Sequence, residues 1–419
     1  MFTRAYAQQL DAQDELRRFR DEFVIAEPDL IYMDGNSLGR LPKRAITRLK
    51  EAVEHEWGER LIRGWGEGWF TAPQRLGGKI APLVGAQADE VLVTDSTSVN
   101  FFKLVIAALQ ANPGRRTIIT DDLNFPSDIY LLQGIIQLLG EGHRVQILRS
   151  ADGQTISMAQ LAEAIGSDTA LVTFSHVVFK SGFCYNMQAV TELAHQRGAL
   201  VLWDLSHSVG STPVALNAAN ADFAVGCTYK YLNGGPGAPA FLYVRRDWQD
   251  KVRNPIWGWF GQKNQFAMEL NYAPASGLNR FLVGTPPQLA LAAIEPGVEL
   301  LLEAGMERLR AKSVQQTEYF IQLWESELQP LNVSLNSPRE AAQRGSHISL
   351  GHADGLRVDR ALIEDMHVIP DFRFPDNVRF GIAPIYTRFE DIYETVRRLK
   401  HVLTTRLYEK YPAEQPAVT

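Results

Sequence analysis

The sequence predicts an α/β protein with a mostly parallel sheet in a large domain and a smaller α/β unit toward the C-terminus. Short apolar runs alternate with helical patterns from Glu90 to Val244. That alternation builds parallel strands joined by right-handed crossovers. The runs at 199–203 and 223–227 contain no polar residue, as expected of strands buried on both faces. Several runs end in a polar group, and ligands of open α/β sheets sit at the carboxyl ends of the strands.

Size and composition bound the function. The chain has 419 residues, 45% of them hydrophobic, enough for a large core and two domains. A formal net charge of −6 argues against a nucleic-acid partner. The two cysteines, Cys184 and Cys227, show no pairing pattern, which points to a reducing, cytoplasmic setting. The first residues lack the apolar core of a secretory signal, and no apolar run is long enough to span a bilayer.

The elements follow in order. Residues 5–22 carry a weak helical stripe (Leu10, Leu16, Phe19). Residues 31–42 read as a short strand and a loop, with Pro42 suited to the first turn of a helix over 43–57. Trp65 and Trp69 are interleaved with Gly64, Gly66 and Gly68; such a loop either covers an aromatic ligand or is pinned to the core by its tryptophans. A strand at 90–94 runs into Asp95, Ser96, Thr97 and Ser98 and then an apolar helix over 101–109. Strand, hydroxyl-rich turn and helix make an anion site, because unpaired N–H groups and the helix dipole face the ligand. N-capping accounts for one of these hydroxyls and does not require three.

A strand at 117–120 exits through a loop with Phe125, placed to stack on a flat ring, and Asp128, placed to bond a ring hydroxyl or to cap a helix. Further strands read at 144–148 and 170–174, the latter ending in Ser175 and His176. The next ends in Asp204, with His207 three residues on. The run at 223–227 breaks into Tyr229, Lys230 and a glycine-rich turn. That turn follows the lysine and lacks the spacing of a dinucleotide fingerprint. Beyond Tyr243 come an aromatic-glycine loop (Trp257, Trp259), a turn near Thr285 and one long helical pattern over 289–327. Strands at 333–335 and 347–350 and helices at 358–365 and 390–403 complete the smaller unit. Arg379, on a last strand, is either a bidentate carboxylate clamp or a surface arginine. His347 and His352 are five apart, the wrong spacing for a shared metal.

Lys230 and Asp204 carry the chemistry. A lysine ending a buried strand is poorly solvated, and its amine is then a better nucleophile toward carbonyls. Pyridoxal phosphate needs a lysine for its Schiff base and a carboxylate for its pyridinium nitrogen. With the hydroxyl-rich turn at Thr97, one site built from several strand ends accounts for all three features.

Together these motifs resemble the kynureninases, a branch of the fold-type-I, class-V aminotransferase-like pyridoxal phosphate enzymes. The similarity covers nearly the whole chain. It includes Gly35-Asn-Ser-Leu-Gly39, Phe125-Pro-Ser-Asp128, Trp203-Asp-Leu-Ser-His207 and Tyr229-Lys-Tyr-Leu-Asn233, with Gly258-Trp-Phe-Gly261 and Gly284-Thr285-Pro286. The resemblance implies a sheet of the seven-stranded type, a large cofactor domain over 53–299, and a small domain from 1–52 and 300–419. It implies hydrolysis of kynurenine or 3-hydroxykynurenine to an anthranilate and L-alanine, in tryptophan degradation and NAD biosynthesis. It also implies a cytoplasmic homodimer with its sites at the subunit interface.

Carried over by position, Lys230 would form the Schiff base, with Tyr229 and Asp204 as its catalytic partners. Thr97, Ser98 and Tyr229 would hold the phosphate and Phe125 would stack on the ring. Asp204 would pair with the ring nitrogen near His207, and Asp128 and Ser175 would line the cofactor. Trp259 and Thr285 would reach the phosphate from the partner subunit. Arg379 and Asn36 would bind substrate, and Trp65 would border the aryl pocket. Val178, Gln262 and Gly66 depart from the bacterial pattern in segments expected near the aryl group. Two alternatives share the fold: a hydrolase of a modified β-aroylalanine, and a cysteine desulfurase, which needs a cysteine on a mobile loop.

Overall fold

The computed structural model describes residues 3–140 and 142–414. A two-residue strand, β1 (Ile31–Tyr32), precedes the strands of a seven-stranded central sheet. These are β2 (Val91–Val93), β3 (Thr117–Asp121), β4 (Arg144–Leu148), β5 (Thr169–Ser175), β6 (Leu200–Asp204), β7 (Phe223–Gly226) and β8 (Phe241–Val244). Their order is β2-β8-β7-β6-β5-β3-β4, and only β8 runs against its neighbours. The expected mostly parallel sheet is therefore the one observed. Val172, Phe174 and Trp203 enter the core on one face, while Leu171, Leu202 and Phe223 enter the core on the other. This is the period-two alternation of strands covered on both sides.

The C-terminal unit is built on a four-stranded antiparallel sheet. Its strands are β9 (Ser334–Leu335), β10 (His347–Gly351), β12 (Asp371–Arg373) and β13 (Asn377–Gly381), with a short β11 (Val368–Ile369) beside them. The order is β12-β13-β10-β9. β11 pairs in parallel with β1, and Ile31 and Met33 join the C-terminal core. The N-terminal segment thereby packs with the distant end of the chain.

Element boundaries differ from the sequence reading most clearly in three helices. The helical pattern over 289–327 forms two helices, Gln288–Ala304 and Met306–Glu327. The break falls at Gly305, whose φ of +80° lies outside the helical region and is tolerated because glycine has no Cβ. The helix predicted over 101–109 begins at Thr97, because the Ser96 hydroxyl accepts a hydrogen bond from Val99 N at 3.3 Å. The helix after Pro42 runs Lys43–Glu51 and continues as wider π turns over Ala52–Arg60. Among the described residues, no helix is long and apolar enough to cross a membrane.

Candidate active site

The carboxyl ends of β6 and β7 open on a cavity of about 230 Å³. Of the residues expected to form the site, Asn36, Thr97, Ser98, Phe125, Asp128, Asp204, His207, Tyr229, Lys230 and Arg379 line it. Asp204 is the last residue of β6, beside Ser175 of β5 in register. Its carboxylate accepts hydrogen bonds from Ser206 N at 2.9 Å, Ser206 Oγ at 2.6 Å and Ser175 Oγ at 3.2 Å. Ser175 thus supports Asp204 from behind and does not line the cavity.

Lys230 follows β7 by four residues, in a tight turn against the loop of Gly35–Gly39. Gly39 N donates to Tyr229 O at 2.8 Å. A Cβ on Gly39 would come within 2.3 Å of Lys230 O, so only glycine lets the loop approach the lysine turn. Lys230 Nζ lies 3.3 Å from His207 Nε2 and 5.8 Å from the centroid of the Phe125 ring. Burial, then Lys230 and Arg379, push His207 well below the usual histidine range. Burial, then the nearby Asp204 charge, raises Asp128 well above the usual carboxylate range. Burial, then Cys227, raises the Tyr229 phenol.

Thr97 and Ser98 occupy the first turn of a fifteen-residue helix. Thr97 Oγ1 lies 3.2 Å from Cys227 Sγ, and Ser98 Oγ lies 3.2 Å from Ser127 Oγ. Lys103 braces this loop from inside the core. Its ammonium pairs with Asp95 and donates to Phe281 O at 2.7 Å. Asp95 stands at φ +45°.

Arg379 lies at the opposite end, in the middle of β13. The bidentate clamp expected of it is occupied within the protein. Its Nε and Nη2 both reach Asp371, its Nη1 donates to Phe179 O, and its Nη2 also lies 3.2 Å from Ser37 Oγ. Trp65, Trp259 and Thr285 do not line the cavity. Trp65 packs on Trp69 and Phe260, and Trp259 and Thr285 are exposed. Val178 is buried in the core, Gln262 holds Ala273 N at 2.6 Å, and Gly66 is exposed. None of these three departures borders the cavity.

Sequence reasoning missed Ser37, Ser127, Ser206, Cys227 and Arg373, which also line the cavity. Ser127 and Ser206 lie inside recognised motifs, so their neighbours signalled them. Arg373 carried no such signal.

A model of the kynureninase C-terminal domain matches residues 309–399. Kynureninase from Pseudomonas fluorescens is 44% identical over 413 residues, covering 97% of this chain and 97% of that one. Kynureninase from Burkholderia mallei (strain SAVP1) is 42% identical over the same shares of both chains. The chain belongs to the kynureninase family. Solved structures extend the likeness of fold. The apo cysteine desulfurase of Thermococcus onnurineus NA1 superposes with a TM-score of 0.81 at 17% identity, over 93% of this chain and 98% of that one. The cystine C–S lyase C-DES, in complex with cysteine persulfide, gives 0.78 at 19%, over 89% of this chain and 98% of that one. At those identities the likeness is of architecture. In this kynureninase-family chain neither cysteine is placed as a desulfurase needs. Cys227 is buried in the cavity wall against Thr97, directly after β7, and burial pushes the Cys184 thiol up to about 11.

Proposed function

We propose that the chain hydrolyses L-kynurenine or 3-hydroxy-L-kynurenine to the corresponding anthranilate and L-alanine, with pyridoxal phosphate as cofactor. The observation that carries this is the convergence of Lys230, Asp204 and the Thr97–Ser98 helix start on one cavity, in a chain 44% identical to a kynureninase over nearly its whole length.

The donor set fits the cofactor. A lysine, a buried carboxylate, a helix N-terminus bearing hydroxyls and an aromatic face are the parts such a group requires. Asp128 Oδ2 and both polar atoms of the Asn36 amide are buried without a protein partner, and both residues line this cavity. Thr97, Ser98 and Tyr229 would hold the phosphate, Phe125 would cover the ring, and Asp204 would pair with the ring nitrogen. When bound, the cofactor supplies an electron sink for charge developing on the substrate carbons.

The reaction consumes one water. The Cβ–Cγ bond breaks, the carbonyl carbon gains the hydroxyl and becomes the carboxyl of anthranilate, and Cβ gains a proton and becomes the methyl of alanine. Lys230 moves the α-proton. Tyr229, whose phenol stays protonated at neutral pH, relays the other. Asn36 and the arginine end of the cavity hold the substrate's carboxylate.

Trp259 and Thr285 belong, in this reading, to the cavity of the partner subunit in a cytoplasmic homodimer, and Trp65 to its aryl wall. Trp257, Trp259, Phe266, Met268 and Leu270 leave large apolar side chains exposed along one segment, as interfaces do. The chain divides into a cofactor domain over 53–299 and a second domain from 1–52 and 300–419, of which 1, 2 and 415–419 lie outside the described residues. Its pathway role is tryptophan degradation toward NAD biosynthesis. The test is direct: purified protein receives each of the two kynurenines, and anthranilate fluorescence is followed with alanine release. Anthranilate without equimolar alanine, or neither product, sinks the reading.

A further inference from the structure

Two buried imidazoles stand beside the lysine turn. His207 follows β6 and is 3% exposed, and His347 opens β10 and is 0% exposed. Their ring centroids lie 6.1 Å apart, with the planes inclined at 60°. Among the described residues, His207 Nδ1 and both ring nitrogens of His347 have no hydrogen-bond partner. The Phe179 carbonyl, which faces His347, accepts from Arg379 Nη1. A buried polar group left without a hydrogen bond carries its full desolvation penalty. Three such nitrogens in one place call for an occupant that both donates and accepts.

The tautomer of His207 follows from its partner. A lysine ammonium has hydrogens to give and no lone pair, so His207 Nε2, 3.3 Å from Lys230 Nζ, is the acceptor. The proton of the neutral ring then sits on Nδ1, which lacks an acceptor in the protein. His347, also neutral, keeps one acceptor nitrogen of its own. Rings with centroids 6.1 Å apart are too distant for a direct N–H···N bond and close enough for one bridging water. The surrounding charge keeps both rings neutral. Lys230 after β7, Arg379 on β13, Arg373 on β12 and His347 itself face His207. Arg379, Lys230 and the anionic Asp371 on β12 face His347. Asp128, on the helix after β3, and the Tyr229 ring face Lys230.

We propose that His347 is a positioning residue for Lys230: a buried water joins it to the His207 Nδ1–H and so keeps His207 Nε2 bare toward the lysine nitrogen. This goes beyond the proposed function and rests on it only for the cofactor that makes the effect visible. His347 does not line the cavity and acts through His207. Without it, the His207 proton is free to move to Nε2, and an N–H turned toward the lysine nitrogen disfavours a proton there.

The test reads the colour of the bound cofactor against pH, without turnover. In holoenzyme the visible absorbance follows the proton on the lysine nitrogen, and the midpoint pH is measured for wild type, H347F and H347Q. H347F fills the site with no hydrogen-bonding atom, and its midpoint should fall by at least about 0.5, a threefold loss of proton affinity. H347Q keeps a donor and an acceptor, and its midpoint should stay within about 0.2 of wild type. Cofactor affinity should change less than about twofold in both. An unshifted or raised midpoint in H347F, or equal shifts in the two variants, overturns the proposal. A high-resolution crystal structure of the wild type should show a water within hydrogen-bonding distance of both rings. Its absence from the ordered solvent overturns the proposal independently, and this observation decides alone if H347F does not fold or if no band titrates. A wild type that titrates as expected but releases no anthranilate from kynurenine overturns the proposed function and leaves the role of His347 standing.

Discussion

Lys230 Nζ and His207 Nε2 lie 3.3 Å apart at the floor of the cavity, although 23 residues separate them in the chain. Burial and the lysine itself keep the imidazole neutral, so its ring nitrogen is available as an acceptor for the lysine's protons. The strand ends of β6 and β7, paired in parallel, bring the two together.

Replacing that lysine removes the only amine lining the cavity among the described residues. Lys230→Ala should lose the visible absorbance of bound cofactor and cut turnover by about 10⁴-fold or more, the upper range for a positioned acid–base group. Absorbance spectroscopy and anthranilate release measure the two losses on one sample; turnover surviving without the lysine contradicts its role.

Asp204→Asn keeps the size of the side chain and removes its charge. The expected loss is about 10²- to 10³-fold in kcat, comparable with deleting a preorganised electrostatic partner. KM should hardly move, since Asp204 sits at the end of β6 with its hydrogen bonds directed to Ser206 and Ser175. A steady-state comparison in which KM alone rises argues against this placement.

The proposed homodimer predicts complementation. Lys230→Ala and Trp259→Ala should each be inactive or weak alone, because Trp259 is absent from the cavity of its own chain. Mixed and reassembled, they should recover up to roughly a quarter of wild-type activity, as one intact site per heterodimer allows. Sedimentation velocity on the mixture confirms the dimer, and no recovery in a confirmed heterodimer counts against the shared site.

Lys103 is fully buried and Asp95 partly exposed. Lys103→Met should cost about 3 kcal/mol, the lower end for breaking a buried pair, because the abandoned carboxylate reaches water. Urea denaturation measures this. The same variant should release cofactor faster on dialysis, since the pair holds the turn that leads into Thr97.

His347 is buried beside the arginine end, and burial, then Arg379, pushes it down to about 3 from an ordinary 6.5. A depressed histidine pKa means that the unfolded chain takes up a proton the folded chain refuses. Stability from this residue is therefore intact above pH 6.5 and is lost as pH falls toward 3. Between pH 7.5 and pH 5 the loss is about 2 kcal/mol. His347→Gln should remove that share, so the variant loses less stability than wild type over the interval. Urea unfolding at the two pH values decides it, and parallel losses in both proteins contradict it.

Much of the cofactor end of the site was legible in the sequence because its parts are local. Apolar runs ending at Asp204 and just before Lys230, and hydroxyls clustered at a helix start, each declare themselves within a dozen residues. Even so, the helix reaches back to Thr97 only because Ser96 caps it, and Gly305 splits a pattern that reads as continuous.

At the substrate end Asn36 and Arg379 were legible and line the cavity, but Arg373 was not. Arg373 follows two residues after Asp371 in a three-residue strand and before Phe374-Pro375, with no periodicity to mark it. What the linear order determined was the kind of chemistry: a lysine, a carboxylate and an anion cradle on a parallel sheet. What only the tertiary structure decided was which hydrogen bonds of Arg379 are already taken. That depends on the antiparallel register setting Asp371 opposite Arg379 and on the Gly35–Gly39 loop delivering Ser37 from more than three hundred residues away. A strand end reports its own surroundings through its neighbours in sequence. A guanidinium's free hydrogen bonds depend on partners that arrive from elsewhere, and only packing reveals which of them are already taken.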